Sequence, residues 1–358
     1  EDDKLELSSV ITSHSINWAI TDSDISSDNK FMVHSTLGPK VQMFDVSTSK
    51  YAQTFNLKLP DQDNDDDGYG FSWYSMIRIF SLKLSGDNKE IIAGCGKISR
   101  GAPIQVFDIE SNKLKHSIIA HSDDINTICY VDKKASSVFI SGSDDGLCKL
   151  WDTRILKDNQ PVGIFYGHVS GLTAVDSRED DKYFISNSKD QSMKLWDLRK
   201  ASTEKKKFSL LRYDYRYGGI SASNLERVKA EQKKCDESLM TFWGHYIVST
   251  LIRCHFSPVH TTGQRYVYTG SGNGMMCIYD TISGQMVACL DTLKDEVMRD
   301  CAWHPFSQNV ITTNFNGEIH RWEHNDLKDA KVVNYNEMIQ PEEESEDDEE
   351  YYEDVDDE

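Results

Sequence analysis

The feature that most constrains the fold is an internal repeat at an offset of 45 residues. Residues 138–154 align without gaps on residues 183–199, and both stretches end in Trp-Asp-x-Arg. Identical residues recur at this offset, for example Ser141 with Ser186. A repeated unit of this size cannot bury its apolar face alone, so the chain is predicted to be an assembly of stacked units.

Six strand-like stretches of alternating side chains end in an aromatic residue followed by an acid. The pairs lie at 44–45, 107–108, 151–152, 196–197, 279–280 and 322–323. Three of the five intervals are 43, 44 and 45 residues, and the longer ones, 63 and 83 residues, indicate insertions on loops. Side chains alternate with the period of a strand before these pairs. A period of about 40 to 45 residues with Gly-His upstream predicts an all-β fold, a WD-repeat β-propeller with six recognisable repeats.

Two repeats also contain a His, a Ser and an Asp at fixed spacing from the Trp. In such a blade the acid holds the His, the His contacts the hydroxyl, and the hydroxyl accepts from the indole N–H, so the buried polar groups satisfy one another. A catalytic triad occurs once in an enzyme, not once per repeat, so we expect no catalytic residues and no enzyme activity. Asp144 lies outside the tetrads and is expected to be replaceable. The predicted structural tetrads are His121, Ser141, Asp145 and Trp151, and His168, Ser186, Asp190 and Trp196.

The net charge of −20 is concentrated at the end of the chain. Residues 341–358 contain thirteen acids and no base, so the remainder carries only −7. We expect a propeller over 1–335 and an acidic disordered tail over 336–358, because the tail has too little apolar surface to offset its ordering entropy. The acidic balance argues against a nucleic-acid partner and against a membrane partner, since both need a positive field.

The chain offers one short stretch with the pattern of a calcium site. The acidic loop 60–68 contains Asp63-Asn64-Asp65-Asp66-Asp67-Gly68, but Tyr74 stands where a calcium loop needs its bidentate Glu. Gly-rich residues 270–274 lie where the repeats have a tight turn, and no helix follows to bind a phosphate. We therefore expect a solvated acidic loop, no metal site and no cofactor.

An insertion over 200–238 interrupts the repeat with ten bases and six acids. Alternating Arg and Tyr residues over 212–217 could stack on single-stranded bases, pin a partner peptide, or clamp the insertion onto the propeller. Residues 224–234 are predicted to be helical. The insertion begins directly after Arg199, so we expect it to share the face on which Arg199 lies.

The endings of two adjacent repeats resemble a known recognition motif. Trp-Asp-x-Arg is typical of WD-repeat substrate receptors of the cullin-4 ubiquitin ligase. In that family the Arg lies on the face away from the Gly-His turns and contacts the ligase adaptor, damage-specific DNA-binding protein 1. The resemblance assigns adaptor binding to Trp151, Asp152 and Arg154, and to Trp196, Asp197 and Arg199.

Longer stretches at 185–191, 251–258 and 299–306, with Asp214-Tyr215-Arg216 in the insertion, are similar to one branch of this family. The resemblance covers about 121–324 and implies a seven-bladed propeller, so the first blade is expected to be missing or incomplete. It also implies a non-enzymatic receptor that presents a protein substrate, in nucleus and cytoplasm, and members of this branch are associated with cap-n-collar stress-response transcription factors. A different class stays open: a WD-repeat scaffold of an RNA-processing or chromatin complex.

Overall fold

The computed structural model consists of six antiparallel sheets, each formed by consecutive strands. It describes residues 10–11, 19–57, 77–132, 134, 137–158, 160–211, 215, 222–292 and 296–323. Five sheets have four strands, and the sixth has three among the described residues. The predicted all-β propeller with six repeats is therefore confirmed.

The first three blades follow one another along the chain. Blade 1 consists of β1 (Ile20–Ile25), β2 (Phe31–Thr36), β3 (Lys40–Asp45) and β4 (Lys50–Asn56). Blade 2 consists of β5 (Ile79–Leu84), β6 (Glu90–Cys95), β7 (Ala102–Asp108) and β8 (Lys113–His121). Blade 3 consists of β9 (Ile125–Tyr130), β10 (Val138–Ser143), β11 (Cys148–Asp152) and β12 (Gly163–Phe165).

The last three blades include the two described α-helices. Blade 4 consists of β13 (Leu172–Ser177), β14 (Tyr183–Ser188), β15 (Ser192–Asp197) and β16 (Met240–Trp243), with α1 (Ala222–Gln232) between β15 and β16. Blade 5 consists of β17 (Cys254–Phe256), β18 (Tyr266–Gly270), β19 (Met275–Asp280) and β20 (Met286–Asp291), with α2 (Val259–Thr262) after β17. Blade 6 consists of β21 (Met298–Trp303), β22 (Val310–Asn314) and β23 (Ile319–Trp322).

The repeat sets the register within each blade and therefore fixes which residues meet at its two ends. Phe139 pairs with Trp151 in blade 3, and Phe184 pairs with Trp196 at the equivalent place in blade 4. Because neighbouring strands are antiparallel, the connections alternate between two faces of the propeller. We call the face that carries His121, His168 and His245 the Gly-His face. We call the opposite face, which carries Asp152, Asp197 and Asp280, the Trp-Asp face.

The core lies between blades rather than at one centre, as expected for a solenoid-like array. Five hydrophobic clusters of the described residues each join two consecutive blades. Phe165 of blade 3, for example, packs against Phe184 and Trp196 of blade 4, with ring centroids 4.7 and 5.8 Å apart. Full burial of such a side chain contributes about 1.5–3 kcal/mol.

Polar contacts join the last blades to the first. Arg299 of β21 donates to the carbonyl of Thr21 in β1 at 3.2 Å, and Arg253 ahead of β17 pairs with Asp22 at 2.5 Å. The end blades keep apolar side chains in solvent, including Ile20, which is 52% exposed, and Ile319, which is 63% exposed. Among the described residues, no further blade precedes β1.

Several predicted segments lie outside the described residues. They are the acidic loop 60–68 with its calcium-like pattern, most of the Arg-Tyr stretch, and the tail over 336–358. The described helices are all too short or too polar to cross a bilayer.

Candidate protein-interaction face

The predicted tetrad residues of blade 3 form one continuous hydrogen-bonded chain on the Gly-His face. The His121 Nδ1 atom lies 2.9 Å from Asp145 Oδ2, and its Nε2 atom lies 2.7 Å from the Ser141 hydroxyl. Trp151 Nε1 donates to the same hydroxyl at 2.8 Å. Burial raises the pKa of Asp145, but the charge and hydrogen bond of His121, the charge of Lys149 and the Ser122 N–H together hold that pKa at about 2.

Blade 4 repeats this chain and adds a contact from α1. His168 Nδ1 lies 2.9 Å from Asp190 Oδ2, and Ser186 Oγ joins His168 to Trp196 at 2.7 and 2.8 Å. Gln232 at the end of α1 donates to Asp190 at 2.9 Å. Burial raises the pKa of Asp190, but the charge and hydrogen bond of His168, the charge of Lys194 and the hydrogen bond of Ser192 together hold it below its ordinary value. All the side chains in this network are buried, so its chemistry is internal to the fold.

Blade 5 uses its His in a different way because Tyr279 replaces the Trp. His245 Nδ1 lies 3.0 Å from the Tyr279 hydroxyl, and its Nε2 lies 2.9 Å from the Asn187 side-chain oxygen of blade 4. Asn273, at the position equivalent to Asp190, instead accepts from Ser271 at 2.6 Å. Burial lowers the pKa of His245 to about 4, so the ring is neutral at pH 7.

The described part of the insertion, 200–211, 215 and 222–238, passes to the Gly-His face, which corrects the expectation that it shares a face with Arg199. From Arg199 the chain first runs along blade 3, where Ser202 and Ile164 form a bridge of two backbone hydrogen bonds of 2.8 Å. Leu211 then donates to the carbonyl of Val169, beside His168, at 2.6 Å. Direct continuation from Arg199 suggested a shared face, but the edge of β12 offers backbone partners that carry the segment to the opposite face.

Aromatic and charged contacts hold the insertion on that face. Phe208 packs edge-on against Tyr166 with ring centroids 5.7 Å apart. Lys194, fully buried in β15, pairs with Asp236 at the end of the insertion at 2.6 Å. The predicted helix is present as α1. These contacts clamp the described part of the insertion onto the propeller, whereas the alternatives for the Arg-Tyr stretch 212–217 fall mostly outside the described residues.

Asp144 is not the replaceable residue that the repeat alignment suggested. Its Oδ1 accepts from Lys189 of blade 4 and from Asn126, both at 2.7 Å. Burial raises the pKa of Asp144. The side chain therefore links two blades, a role that the alignment could not show because Lys189 lies 45 residues further along the chain.

The two Trp-Asp-x-Arg endings have the same geometry on the Trp-Asp face. Arg154 donates hydrogen bonds to the Asp152 carboxylate through Nε at 2.9 Å and Nη2 at 2.5 Å. Its backbone N–H donates to the same carboxylate at 3.0 Å. Arg199 grips Asp197 through Nε at 2.8 Å and Nη2 at 2.7 Å, again with a backbone bond of 3.0 Å. The Trp before each Asp is buried and belongs to the core.

The two arginines present charge to solvent on adjacent blades. Their side chains are 70% and 62% exposed, whereas the paired carboxylates are 13% and 7% exposed. The hydrogen bonds from Arg154 and Arg199 lower the pKa of Asp152 and Asp197, and the same contacts raise the pKa of each guanidinium. A guanidinium has five N–H donors, so donors remain after this contact to meet carbonyl or carboxylate oxygens of a partner.

The channel lined by the inner strands is charged, but its charges compensate one another. Asp22 pairs with Arg253 at 2.5 Å and with Lys83 at 3.6 Å, and His255 lies 2.9 Å from Asp300. Among the described residues, no group of three or more His, Cys, Asp or Glu side chains has the arrangement of a metal site. These pairs tie blades 1, 2, 5 and 6 together across the channel.

The fold and the Trp-Asp face define the class, a WD40 β-propeller with exposed arginines held on one face. A model of the WD domain, G-beta repeat, matches residues 112–152 and 159–197. The chain is 37% identical over 334 residues to the LEC14B protein of Lithospermum erythrorhizon, covering 91% of this chain and 67% of that protein. It is 38% identical over 323 residues to the LEC14B homolog of Prunus armeniaca, covering 87% and 64%.

Two nematode proteins extend this relationship. The DDB1- and CUL4-associated factor 11 homolog of Caenorhabditis elegans is 31% identical, with coverage of 89% of this chain and 54% of that protein. Its counterpart in Caenorhabditis briggsae is 34% identical, with coverage of 72% and 46%. The chain therefore belongs to the WD-repeat family that contains LEC14B and DDB1- and CUL4-associated factor 11, also called WD repeat-containing protein 23, and the sequence resemblance to that branch is confirmed.

The chain spans about two thirds of the length of its LEC14B relatives and about half of the nematode proteins. Among solved structures, that of U3-55K matches with a TM-score of 0.62 at 14% identity, covering 88% of this chain and 80% of that one. The RRP9 WD40 repeats match with a TM-score of 0.61, also at 14% identity. At this identity the likeness shows the propeller fold alone.

Proposed function

We propose that the chain is a non-enzymatic substrate receptor of a cullin-4 RING ubiquitin ligase. The observation that carries this proposal is the matched pair of exposed arginines, Arg154 and Arg199, on one face of adjacent blades. Relatives that cover most of this chain are named as factors associated with DDB1 and CUL4. The adaptor, damage-specific DNA-binding protein 1, would bind the Trp-Asp face.

In this mechanism the propeller contributes position rather than chemistry. Asp152 and Asp197 fix the orientation of each guanidinium, so less side-chain entropy is lost when the adaptor binds. The buried Trp151 and Trp196 anchor the strands that carry those acids. The His-Ser-Asp sets are buried and recur in two blades, which supports structural networks rather than catalysis.

The substrate is a protein that the receptor holds beside the ligase. We assign it to the class of stress-response transcription factors through the family resemblance, with residence in nucleus and cytoplasm. The Gly-His face, where the insertion adds its own side chains, is the surface left for such a substrate when the adaptor occupies the other face. The alternative, an RNA-processing or chromatin scaffold, has only the fold in its support.

Affinity purification of the protein from its own cells tests the proposal. We expect the adaptor and cullin-4 to co-purify in amounts close to that of the tagged protein. Co-purification of RNA-processing or chromatin factors with neither adaptor nor cullin would contradict the receptor role and favour the scaffold. A propeller of unrelated family, tagged and expressed at the same level, controls for nonspecific capture.

A further inference from the structure

Blade 5 has the same acidic turn as blades 3 and 4 but lacks the arginine of the motif. Its ending is Tyr279-Asp280-Thr281-Ile282, so Ile282 occupies the position of Arg154 and Arg199. The backbone N–H of Ile282 donates to Asp280 at 2.8 Å, as the equivalent N–H groups do in the other two blades. The turn is therefore conserved in shape while its side chain is apolar and 75% exposed.

An arginine from another loop occupies the vacant place on Asp280. Arg265, which immediately precedes β18, donates to Asp280 Oδ2 through Nε at 3.1 Å and through Nη2 at 2.6 Å. Its own carbonyl accepts from the Thr281 backbone N–H at 3.0 Å, which fixes the loop against the turn. The guanidinium also lies 5.6 Å from the centroid of the Tyr266 ring.

The loop position of Arg265 exists in the neighbouring blades without an arginine. The carbonyl of Ser137 accepts from Thr153 at 2.8 Å in blade 3, and that of Lys182 accepts from Leu198 at 2.8 Å in blade 4. Blades 3 and 4 thus take the guanidinium from the motif, and blade 5 takes it from the loop. In both arrangements the guanidinium donates hydrogen bonds to the Asp carboxylate of that blade on the Trp-Asp face.

The Arg265–Asp280 pair matches the two motif pairs in exposure and electrostatics. The Arg265 side chain is 51% exposed, and Asp280 is 6% exposed. The hydrogen bond from Arg265 lowers the pKa of Asp280 and raises that of the guanidinium, as in the other pairs. Three consecutive blades therefore present an arginine held by an acid on the same face.

We propose that Arg265 is a third adaptor-binding residue, which together with Arg154 and Arg199 forms a row of arginines across blades 3, 4 and 5. This inference rests on the proposed function. The row fits a partner surface of carboxylate and carbonyl oxygens. Ile282 and Ile155, the latter 52% exposed, supply apolar contact beside the charges, a combination typical of binding hot spots.

The test measures the affinity of purified full-length protein for purified adaptor by calorimetry. Arg265→Ala should weaken binding by about tenfold. The matched control is Lys30→Ala, because Lys30 occupies the equivalent loop position in blade 1, is 71% exposed and pairs with Asp28. We expect Lys30→Ala to bind as the unchanged protein does, with the melting temperature of both variants preserved.

A second variant asks whether the guanidinium on Asp280 is what matters. Arg265→Ala combined with Ile282→Arg restores an arginine at the motif position and should recover affinity to within about threefold of the unchanged protein. Equal binding by Arg265→Ala and Lys30→Ala would overturn the third-residue role and leave the receptor proposal standing. Absence of adaptor binding by the unchanged protein would overturn both.

Discussion

The two faces of the propeller use the same pairing of an acid with a base for opposite purposes. On the Gly-His face, Asp145 and Asp190 are buried and hold a His inside the blade. On the Trp-Asp face, Asp152 and Asp197 hold an arginine whose side chain is mostly in solvent. Burial makes the first pair a determinant of stability, and exposure leaves the second available for binding.

This difference teaches how a repeat can carry function without losing its fold. Removal of a partner inside the Gly-His network leaves a buried polar group unsatisfied, which costs about 1–3 kcal/mol. Exposed ion pairs are screened by solvent and contribute little to stability. Substitutions on the two faces should therefore separate cleanly into loss of stability and loss of binding.

The largest expected effect is that of Asp190→Ala. His168 and the Ser192 hydroxyl lose their acceptor and Gln232 loses one of two, so the free energy of unfolding should fall by about 3 kcal/mol. Urea denaturation followed by circular dichroism measures it. Asn273→Ala is the matched control, since Asn273 occupies the same turn in blade 5 without a His partner. Its free energy of unfolding should fall by well under half as much. Equal losses would contradict the network account.

The next effect concerns the clamp of the insertion. Asp236→Ala removes the partly exposed carboxylate but leaves the buried Lys194 the Thr241 hydroxyl as acceptor, and we expect a loss of about 1–2 kcal/mol and faster proteolysis within 200–238. Glu226→Ala provides the control on the same insertion, because its pair with Lys229 in α1 is exposed at the Glu. If both variants resist protease as the unchanged protein does, the insertion is not held by this pair.

A smaller effect follows from the pKa of His245. The folded protein keeps this pKa at about 4 against an ordinary 6.5, so the unfolded chain binds the proton first as pH falls. The contribution of His245 to the free energy of unfolding is fully present above pH 6.5 and is lost as pH falls toward 4. In that range the free energy of unfolding falls by up to about 1.4 kcal/mol per pH unit. Denaturation between pH 7 and 5 should show a shallower slope for His245→Gln, and an unchanged slope would refute the assignment.

The smallest effect on stability is expected on the Trp-Asp face. Arg154→Ala and Arg199→Ala remove exposed side chains, so the melting temperature should stay within about one degree of that of the unchanged protein. Differential scanning calorimetry measures this directly. A drop as large as that of Asp190→Ala would mean that these arginines hold the fold, and the contrast between the faces would disappear.

The blades and the two tetrads could be predicted from the sequence because both depend on local spacing. The register of each blade follows from local features: a strand period of two, a fixed turn, and a Trp at constant distance from Ser141 and Ser186. The rest of the chain is not needed to determine it. The contacts of Asp144 and His245 could not be predicted in this way. Their partners, Lys189 and Asn187, belong to the adjoining blade or its turn.

Two features of the candidate site depend on contacts between segments that are separated in the sequence. The insertion leaves the Trp-Asp face and crosses to the other one because backbone pairing of Ser202 with Ile164 directs it there, which composition could not reveal. Arg265 reaches Asp280 from a separate loop, fifteen positions earlier, so no motif marks it. An arginine directly before the second strand of a blade that lacks the motif arginine is the signal that could have found it, since blades 1 and 2 have a lysine at that position.

Reversal of charge at both motif arginines tests the central claim most directly. The variant Arg154→Glu with Arg199→Glu is compared with Lys40→Glu with Lys207→Glu, which changes the net charge equally at exposed lysines away from the Trp-Asp face. Calorimetric titration with purified adaptor should show affinity lowered at least about a hundredfold in the arginine variant and nearly unchanged in the lysine variant, with both folded. Full adaptor affinity in the folded arginine variant would contradict the account.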